Sequence, residues 1–509
     1  MTSNLQELTS FLQQKGFIWG PEPELYGGLS GFYTYAPLGK LLKNRVEQVI
    51  RNRFTQDDFF EVECPTIMPK AVWEASGHLG GFSDPVISCG KCKANFRADN
   101  LIKEFVPGVT DNELMGNDNK LRIIREKKIV CPVCKGNLVP EIKTHSLMMR
   151  TTIGLDIEAY NRPETATTTY LPFIRYHDFF RKKYPFGVFQ IGKAYRNEIS
   201  PRQHVLRQRE FTQAEGQLFI FKDQKNNFEK FDNVKDRKLP LWSSQLQAQN
   251  KDPEHISLAD ALSKGYLKNQ AYAWSLFLAY DLFVHMGIPE DRIRMRQHHP
   301  DEKAFYADDA WDVEIKLNTF GWFEMCGVHD RTDYDLKQHG KAAGKDLAVQ
   351  KEETSKDKEI PHIIEIAFGS DRPTFAVLDI FYDKKADGEG KTILHLPVQL
   401  APVHVAVLPL LNKDGLPELA RQVSLDLKKI PGLISKYDST ASIGKRYLRE
   451  AEAGTPFCVT IDHQSKEDGT VTLRERDSEA QKRIKISHLS QVLSDLAIGK
   501  RKFSEIDAS

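Results

Sequence analysis

An excess of charge of either sign is the first thing this chain lacks. Its 71 basic and 70 acidic residues leave a net charge of +1. A protein that coats nucleic acid without specificity carries a basic surplus, so any nucleic-acid partner must be argued from motifs. Long apolar runs are missing too. None approaches the ~18 residues a membrane span needs, and the opening MTSNLQELTSFLQQ has neither the basic nor the apolar stretch of a secretory signal. No membrane partner is expected, and a cytoplasmic location is the default. Biased tracts and internal repeats are absent. Cysteine is scarce at seven residues; Cys64, Cys326 and Cys458 stand alone in apolar surroundings and read as small buried hydrophobes.

What is present is ordinary globular material, 40% apolar and 28% charged, able to bury several cores. At roughly 100–200 residues per domain the length allows about three domains. The first 80 residues read as a helix, a Gly/Pro/aromatic loop, a second helix over about 41–54, and an apolar strand, FFEVECPTIMP, ended by Pro65 and Pro69. Residues 85–145 form a polar module bracketed by two CxxC pairs. Residues 222–265, charged and Asn/Gln-rich, read as a solvated insertion. A helix is expected over 266–286 and strands to about 369, with 341–359 a charged loop or exposed helix. KKADGEGK (384–391) reads as a linker. Beyond it, strands such as VHVAVLPL and FCVTID alternate with helical segments, the rhythm of a separate α/β domain.

The most informative segment is 187–219, GVFQIGKAYRNEISPRQHVLRQREFTQAEGQLF. Alternate residues of a strand share a face. Gly192, Ala194, Arg196 and Glu198 therefore fall together, as do Arg207, Arg209, Phe211, Gln213 and Glu215. Paired across the 200–206 loop, the strands put charges and an aromatic ring on one surface. Such a row makes a poor core, because buried charges need partners. It suits a nucleotide: arginine forks match phosphate oxygens, a ring stacks on a purine, and Gly192 and Ala194 leave room for a ligand. A solvated outer face with cross-strand ion pairs is the alternative reading of the same row.

YRNEISPRQ and RQREFTQAE resemble motif 2 of class II aminoacyl-tRNA synthetases, in the form found in glycyl-tRNA synthetases. The resemblance implies that Arg196 holds the α-phosphate of ATP and Glu198 faces the adenine amino group. Phe211 would stack on adenine, with Asn197, Leu206 and the Arg207, Gln208, Arg209, Glu210 segment around the nucleotide. DFFEVECPTIMP is similar to the proline-bearing motif that builds the dimer interface in these enzymes, which implies a homodimer. IPHIIEIAFGSDRPTFAVLDIF is similar to motif 3: a strand, a turn at Gly369 with Ser370 and Asp371, and a helix start where Arg372 would meet the γ-phosphate. A helix N-terminus with an added guanidinium suits phosphate, although a surface charge at a helix end has the same pattern. In WDVEIKLNTFGWFEMCGVHDRTDYDLKQH the resemblance assigns Glu324, beside Met325, to ATP through Mg²⁺, an ion that favours oxygen ligands shared with phosphates. Catalysis would then rest on Arg196, Arg372 and Glu324.

Glycine offers no side chain to recognise, so selectivity must hold its ends and exclude anything larger. The resemblance places Glu164, Glu215 and Glu365 around the α-ammonium. Arg97 would lie near the substrate, and Phe211, Gln213, Ala367 and Gly369 would complete the pocket. Two departures bear on that pocket: RPETATT (162–168) stands where the family has RPETAQG, and Glu365-Ile366-Ala367 where it has EPS, so a serine is lost. Alanine or serine stays open as the substrate.

Cys89/Cys92 and Cys131/Cys134 read as the two knuckles of a structural Cys₄ Zn²⁺ site, with a pair of disulfides as the alternative that a reducing compartment disfavours. LPVQLAPVHVAVLPL and SIGKRYLREAEAGTPFCVTIDHQSKEDGTVTLRERDSEAQKRIKI are similar to the anticodon-binding domain of the class IIa enzymes. Lys445, Arg446, Tyr447, Arg474 and Arg476 mix charge with an aromatic, as suits phosphates and unstacked bases; solvated strand ends would look the same. Together the resemblances imply an α+β catalytic domain on an antiparallel sheet (1–84 and 146–383), a zinc ribbon inserted at 85–145, and an anticodon-binding domain at 392–509. The implied partners are tRNA(Gly), glycine and ATP, in ATP-driven ligation of glycine to tRNA through a glycyl-adenylate.

Overall fold

The computed structural model describes residues 2–109, 113–201, 203–300, 302–303, 307–351, 357–384 and 392–506. Its largest element is a nine-stranded sheet built, in chain order, from β1 (Phe59–Glu61), β2 (Phe186–Tyr195), β3 (Glu210–Ile220), β4 (Lys238–Trp242), β5 (Glu254–Ser257), β6 (Ile293–Gln297), β7 (Ala310–Leu317), β8 (Gly321–Thr332) and β9 (His362–Gly369). Across the sheet the order is β5-β4-β6-β7-β8-β9-β3-β2-β1. Only the β1–β2 and β4–β6 pairs are parallel.

One face of this sheet is packed against two helices, α1 (Pro37–Gln56) and α2 (Gln270–His285). Phe54 of α1 lies over Phe189 of β2, their ring centroids 5.0 Å apart. Gly216, opposite Phe189 in the ladder, makes that approach possible, because a Cβ there would stand 2.4 Å from the Phe54 ring. α2 is apolar on every side, and its residues from Ala271 to Tyr280 are buried throughout, as a helix without a polar face requires. It starts at Gln270 because the Asn269 side chain accepts from the Tyr272 amide as an N-cap. The other face carries polar side chains. A third helix, α3 (Asp371–Ile380), leaves directly from the end of β9.

Two smaller units complete the molecule. Strands Ser83–Cys89, Asn95–Arg97 and Leu138–Ser146 form a three-stranded sheet, joined by helices Ala98–Phe105 and Asn117–Glu126 around Ile87, Phe96, Leu101, Ile102 and Ile124. At the C-terminal end a five-stranded sheet runs Ser435–Tyr437, Val405–Pro409, Phe457–Ile461, Thr470–Glu475, Gln481–Lys485. Its first three strands are parallel and the last two antiparallel. It has a core of its own, centred on Val405, Val459, Leu473 and Leu493.

Some expectations change here. Residues 222–265 are not a solvated insertion: β4 and β5 extend the main sheet, and Leu239, Leu241, Ile256 and Leu258 are buried. Short apolar strands are hard to see between charged flanks. FFEVECPTIMP breaks into β1 and a second strand, Ile67–Pro69, that pairs with Ile157–Asn161 instead. A helix, Tyr334–Ala343, covers the start of the 341–359 stretch; residues 352–356 and the linker residues 385–391 lie outside the described residues. Cys64, Cys326 and Cys458 are buried as expected. Among the described residues no helix is long and apolar enough to cross a membrane.

Candidate active site

The polar face of the main sheet floors a cleft of about 310 Å³. The ladder explains which residues meet there. β3 pairs with β9, and β9 with β8, so that Gln213 lies beside Gly369, Glu215 beside Ala367, Gly327 beside Ala367 and His329 beside Glu365. Alternation then sends Phe211, Gln213 and Glu215 of β3, Ala367 and Gly369 of β9, and Gly327 and His329 of β8 to one side. Arg196, Glu198, Leu206, Arg207 and Gln208 close the cleft from the β2–β3 connection, and Glu324 and Arg372 close it from opposite.

One half is lined by carboxylates that are already held. Glu365, 4% exposed, accepts from Tyr170 Oη at 2.8 Å and from His329 Nδ1 at 3.1 Å, and the Arg331 guanidinium lies 3.4 Å from both its oxygens. Arg331 is itself clamped by Asp335 at 2.7 and 2.9 Å. Glu215, 2% exposed, accepts from the Thr165 hydroxyl. Glu164 accepts from Thr167 Oγ1 at 2.9 Å and stands 3.5 Å from His78. Burial disfavours charge on all of them, but the outcomes differ. For Glu164 burial is outweighed by His78, Arg331 and Thr167, which hold its carboxyl well below the usual range. For Glu365 burial is outweighed by Arg331 and His329, which lower it too. For Glu215 burial, then the charges of Glu365 and Glu164, outweigh the Thr165 hydrogen bond and the charge of Arg196 and push it up to about 8. The protonated form of Glu215 is therefore favoured near neutral pH, and a cation beside it would favour the charged form.

The other half is charged and more open. The Arg196 guanidinium carbon lies 5.3 Å from the centre of the Phe211 ring and 5.4 Å from that of Phe82, while its Nε donates to the Pro163 carbonyl at 3.1 Å. Arg372 donates from Nη1 to the Glu324 carboxylate and carbonyl, both at 3.0 Å, and rests over Phe323. Cations, an aromatic ring and an acid on one rim are what a nucleotide triphosphate with its counter-ion needs.

Comparison with known proteins settles the lineage. A glycine–tRNA ligase from Pyrococcus horikoshii is 39% identical, covering 97% of this chain and 98% of that one. One from Methanocaldococcus jannaschii is 37% identical over 96% of this chain and 98% of its own. This chain belongs to the glycine–tRNA ligase family. Within that family's frame, residues 404–496 match the anticodon binding domain family. The fold is shared more widely. Prolyl-tRNA synthetase from Giardia lamblia, solved with prolyl-adenylate, superposes with a TM-score of 0.61 at 13% identity, covering 98% of this chain and 80% of that one. Its counterpart from Cryptosporidium parvum superposes with 0.57 at 15%, covering 97% and 75%. The architecture is the class II synthetase fold with a C-terminal anticodon-binding unit.

Not every residue expected at a glycine–tRNA ligase site reaches this cleft. Arg209 turns away, donating to the Glu198 and Ser30 carbonyls at 2.9 Å each. Strand β3 begins only at Glu210 after a short 3₁₀ turn, His204–Leu206, so alternation does not run back through Arg209. Glu210 pairs with Lys193 at 3.1 Å outside the cleft. Asn197 is held along its backbone by Leu147 and His145, and the Ser370 hydroxyl is turned inward to Glu47. Asp371 touches the cleft, but its carboxylate is engaged by Lys43 and the Thr212 amide, which fixes the start of α3. Arg97 lies beside the cleft, in an adjoining cavity of about 150 Å³ that shares Glu198 and Arg207, paired to Asp99 and Asp84. Gly192 does not leave room for a ligand. The Arg162 guanidinium fills that space, 2.2 Å from where a Cβ would be, donating to the Lys193 and Cys64 carbonyls and to Gln190; Ala194 is buried as well. Six lining residues were not anticipated: Val205, Thr212, Gly327, His329, Arg331 and Phe368. The signal for two of them was present, since a buried strand reading CGVHDRT must find partners for its imidazole and guanidinium.

Away from the cleft, Cys89, Cys92, Cys131 and Cys134 converge, with their sulfurs within 4.8 Å of one another. The two CxxC loops have one shape. Lys93 and Lys135, each just past its pair, adopt positive φ of 60° and 56°, and their amides bond back to the Cys89 and Cys131 carbonyls. The Sγ pairs nearest each other are 3.5 and 3.6 Å apart, beyond an S–S bond of about 2.05 Å. In the C-terminal unit, Arg446 and Arg476 are spent on structure, donating to Pro409 and to Gly454 and Leu396 carbonyls. Lys445, Tyr447 and Arg474 line a surface cavity there, with Arg474 stacked 4.7 Å over Tyr447.

Proposed function

We propose that this chain activates glycine with ATP and transfers it to tRNA(Gly). The observation that carries this reading is the cleft itself, where three carboxylates, Glu164, Glu215 and Glu365, adjoin a rim of arginines and an aromatic ring. Glycine would place its α-ammonium among Glu164, Glu215 and Glu365, each a charge-assisted acceptor. ATP would lay its adenine on Phe211 with Glu198 at the amino group, its α-phosphate on Arg196 and its γ-phosphate on Arg372, with Arg207 and Gln208 alongside. Binding requires Arg372 to leave Glu324. Glu324 is the carboxylate that would share Mg²⁺ with the nucleotide, and the ion would supply charge neutralisation on the triphosphate.

No protein nucleophile is needed. A carboxylate oxygen of glycine attacks the α-phosphorus, the bond to the β-phosphate bridging oxygen breaks, and pyrophosphate leaves with its electron pair. A hydroxyl of the terminal tRNA ribose then attacks the adenylate carbonyl, releasing AMP. The chain contributes alignment and charge neutralisation. The four-cysteine cluster fits structural Zn²⁺, since four converging thiolates with no open position suit a tetrahedral ion, and residues 404–496 would take the anticodon. A homodimer would form along the β1 edge, where Phe60 and Phe179 are half or more exposed and touch edge to face. The work belongs in the cytoplasm, where the thiols stay reduced.

The test is glycine-dependent exchange of labelled pyrophosphate into ATP. Exchange with glycine and little with alanine or serine is expected. Alanine or serine supporting exchange better than glycine would reassign the substrate, and no exchange with any amino acid would leave a nucleic-acid-binding role.

A further inference from the structure

We infer that His329 is a positioning and specificity-determining residue of the amino-acid pocket; this rests on the glycine reading above. Three observations converge on it. First, the register of β8 and β9 sets His329 directly opposite Glu365, and its Nδ1 lies 3.1 Å from Glu365 Oε1. A carboxylate can only accept, so Nδ1 carries the hydrogen, which leaves Nε2 as the second polar atom of the ring. Second, the ring leans over its own strand at Gly327. A Cβ on Gly327 would stand 2.6 Å from His329 Cε1, so glycine at 327 is the condition for the imidazole resting over that position. Gly327 is in turn the cross-strand partner of Ala367, the position where a serine hydroxyl is missing. The imidazole thus lines the cleft over a residue with no side chain, beside the carboxylate proposed for the substrate ammonium. Third, the ring has close polar neighbours. His298 and Asp312 hydrogen-bond at 2.8 Å, one nitrogen or oxygen of each lies within 4.8 Å of a His329 ring nitrogen, and the two imidazole centroids are 6.0 Å apart.

The consequence is a division of labour around Glu365. Arg331 balances its charge from between the two oxygens, Tyr170 fixes one of them, and His329 fixes the other and walls the pocket. A methyl on the substrate α-carbon would have to displace a ring that is packed on Gly327 and tethered to Glu365. Overpacking of that kind is strongly resisted in a close-packed site. A flexible or absent side chain at 329 would not resist it.

The experiment is pyrophosphate exchange by the full chain and two variants, with glycine and alanine as substrates and ATP varied separately. His329→Ala is expected to raise the KM for glycine about tenfold, the worth of one hydrogen bond to a charged group, to leave the KM for ATP unchanged, and to admit alanine-dependent exchange. His329→Asn, which keeps a donor for Glu365 and part of the bulk, is expected to recover most of the glycine KM. Unchanged glycine KM and unchanged rejection of alanine in His329→Ala would overturn the inference. Equal changes in the glycine and ATP constants, not rescued by Asn, would show a merely structural role and overturn it too. If the unmodified chain fails to exchange with glycine, the functional reading fails first, and the two failures are told apart by that control.

Discussion

The two halves of the cleft are built on different terms. On the carboxylate side, Glu365 is fixed by Tyr170, His329 and Arg331, and Arg331 by Asp335, so the pocket is assembled before anything binds. On the arginine side, the ion pairs are provisional: Arg372 is satisfied by Glu324 and Arg196 by two rings and a carbonyl. A substrate with no side chain gives the protein little to grip, so recognition must be pre-organised. A nucleotide brings enough charge and area to rearrange its own site.

Substitutions can break that contrast, and the largest effect is expected in the assembled half. Arg331→Met would leave Glu365 and Asp335 without their shared cation. Removing one partner of a buried ionic group costs about 3–5 kcal/mol, to be seen as a lower denaturation midpoint together with lost glycine binding. Arg196→Ala should instead leave the fold intact and slow adenylate formation about 10²–10³-fold in kcat, as when a donor to developing charge is removed; a matching loss of stability would show that Arg196 is structural. Phe211→Ala should raise the KM for ATP about tenfold or more, since a base on an aromatic face is worth about 1–3 kcal/mol, while the KM for glycine moves little.

The smallest effect is the sharpest on mechanism. Burial and the charges of Glu365 and Glu164 hold Glu215 up at about 8, well above its ordinary 4.5, which favours its protonated form at pH 7. The sign follows: Glu215 contributes stability that is fully present below about 4.5 and drains away as pH rises through about 8. An incoming ammonium reverses the preference. Glycine binding at pH 7 should therefore release close to one proton, and glycine affinity should rise with pH up to about 8. Calorimetry in two buffers of different ionisation enthalpy measures this directly, and no buffer dependence would mean that Glu215 does not meet the ammonium.

The same contrast explains what could be read without coordinates. The arginine side was legible because its residues lie on one hairpin and one turn, where spacing carries the geometry: Arg196, Glu198, Phe211 and Arg372 do line one cleft. The assembled half was harder, because it draws on β3, β8, β9 and the 164–170 segment at once, and only the sheet order brings His329 and Arg331 to Glu365. Arg209 was misplaced because alternation holds only within a strand. Gly192 was misread because the sequence does not tell whether a gap over glycine is filled by a ligand or by a distant arginine, here Arg162. The cysteine cluster needed little more than its spacing.

The most direct measurement is a structure of the full chain with a non-hydrolysable glycyl-adenylate analogue. The account predicts the ammonium within hydrogen-bond reach of Glu215 and Glu365, the adenine on Phe211, and Arg196 on the phosphate, with the carboxylate half unmoved. An analogue bound elsewhere, or an ammonium facing solvent with Glu215 still paired only to Thr165, would contradict it.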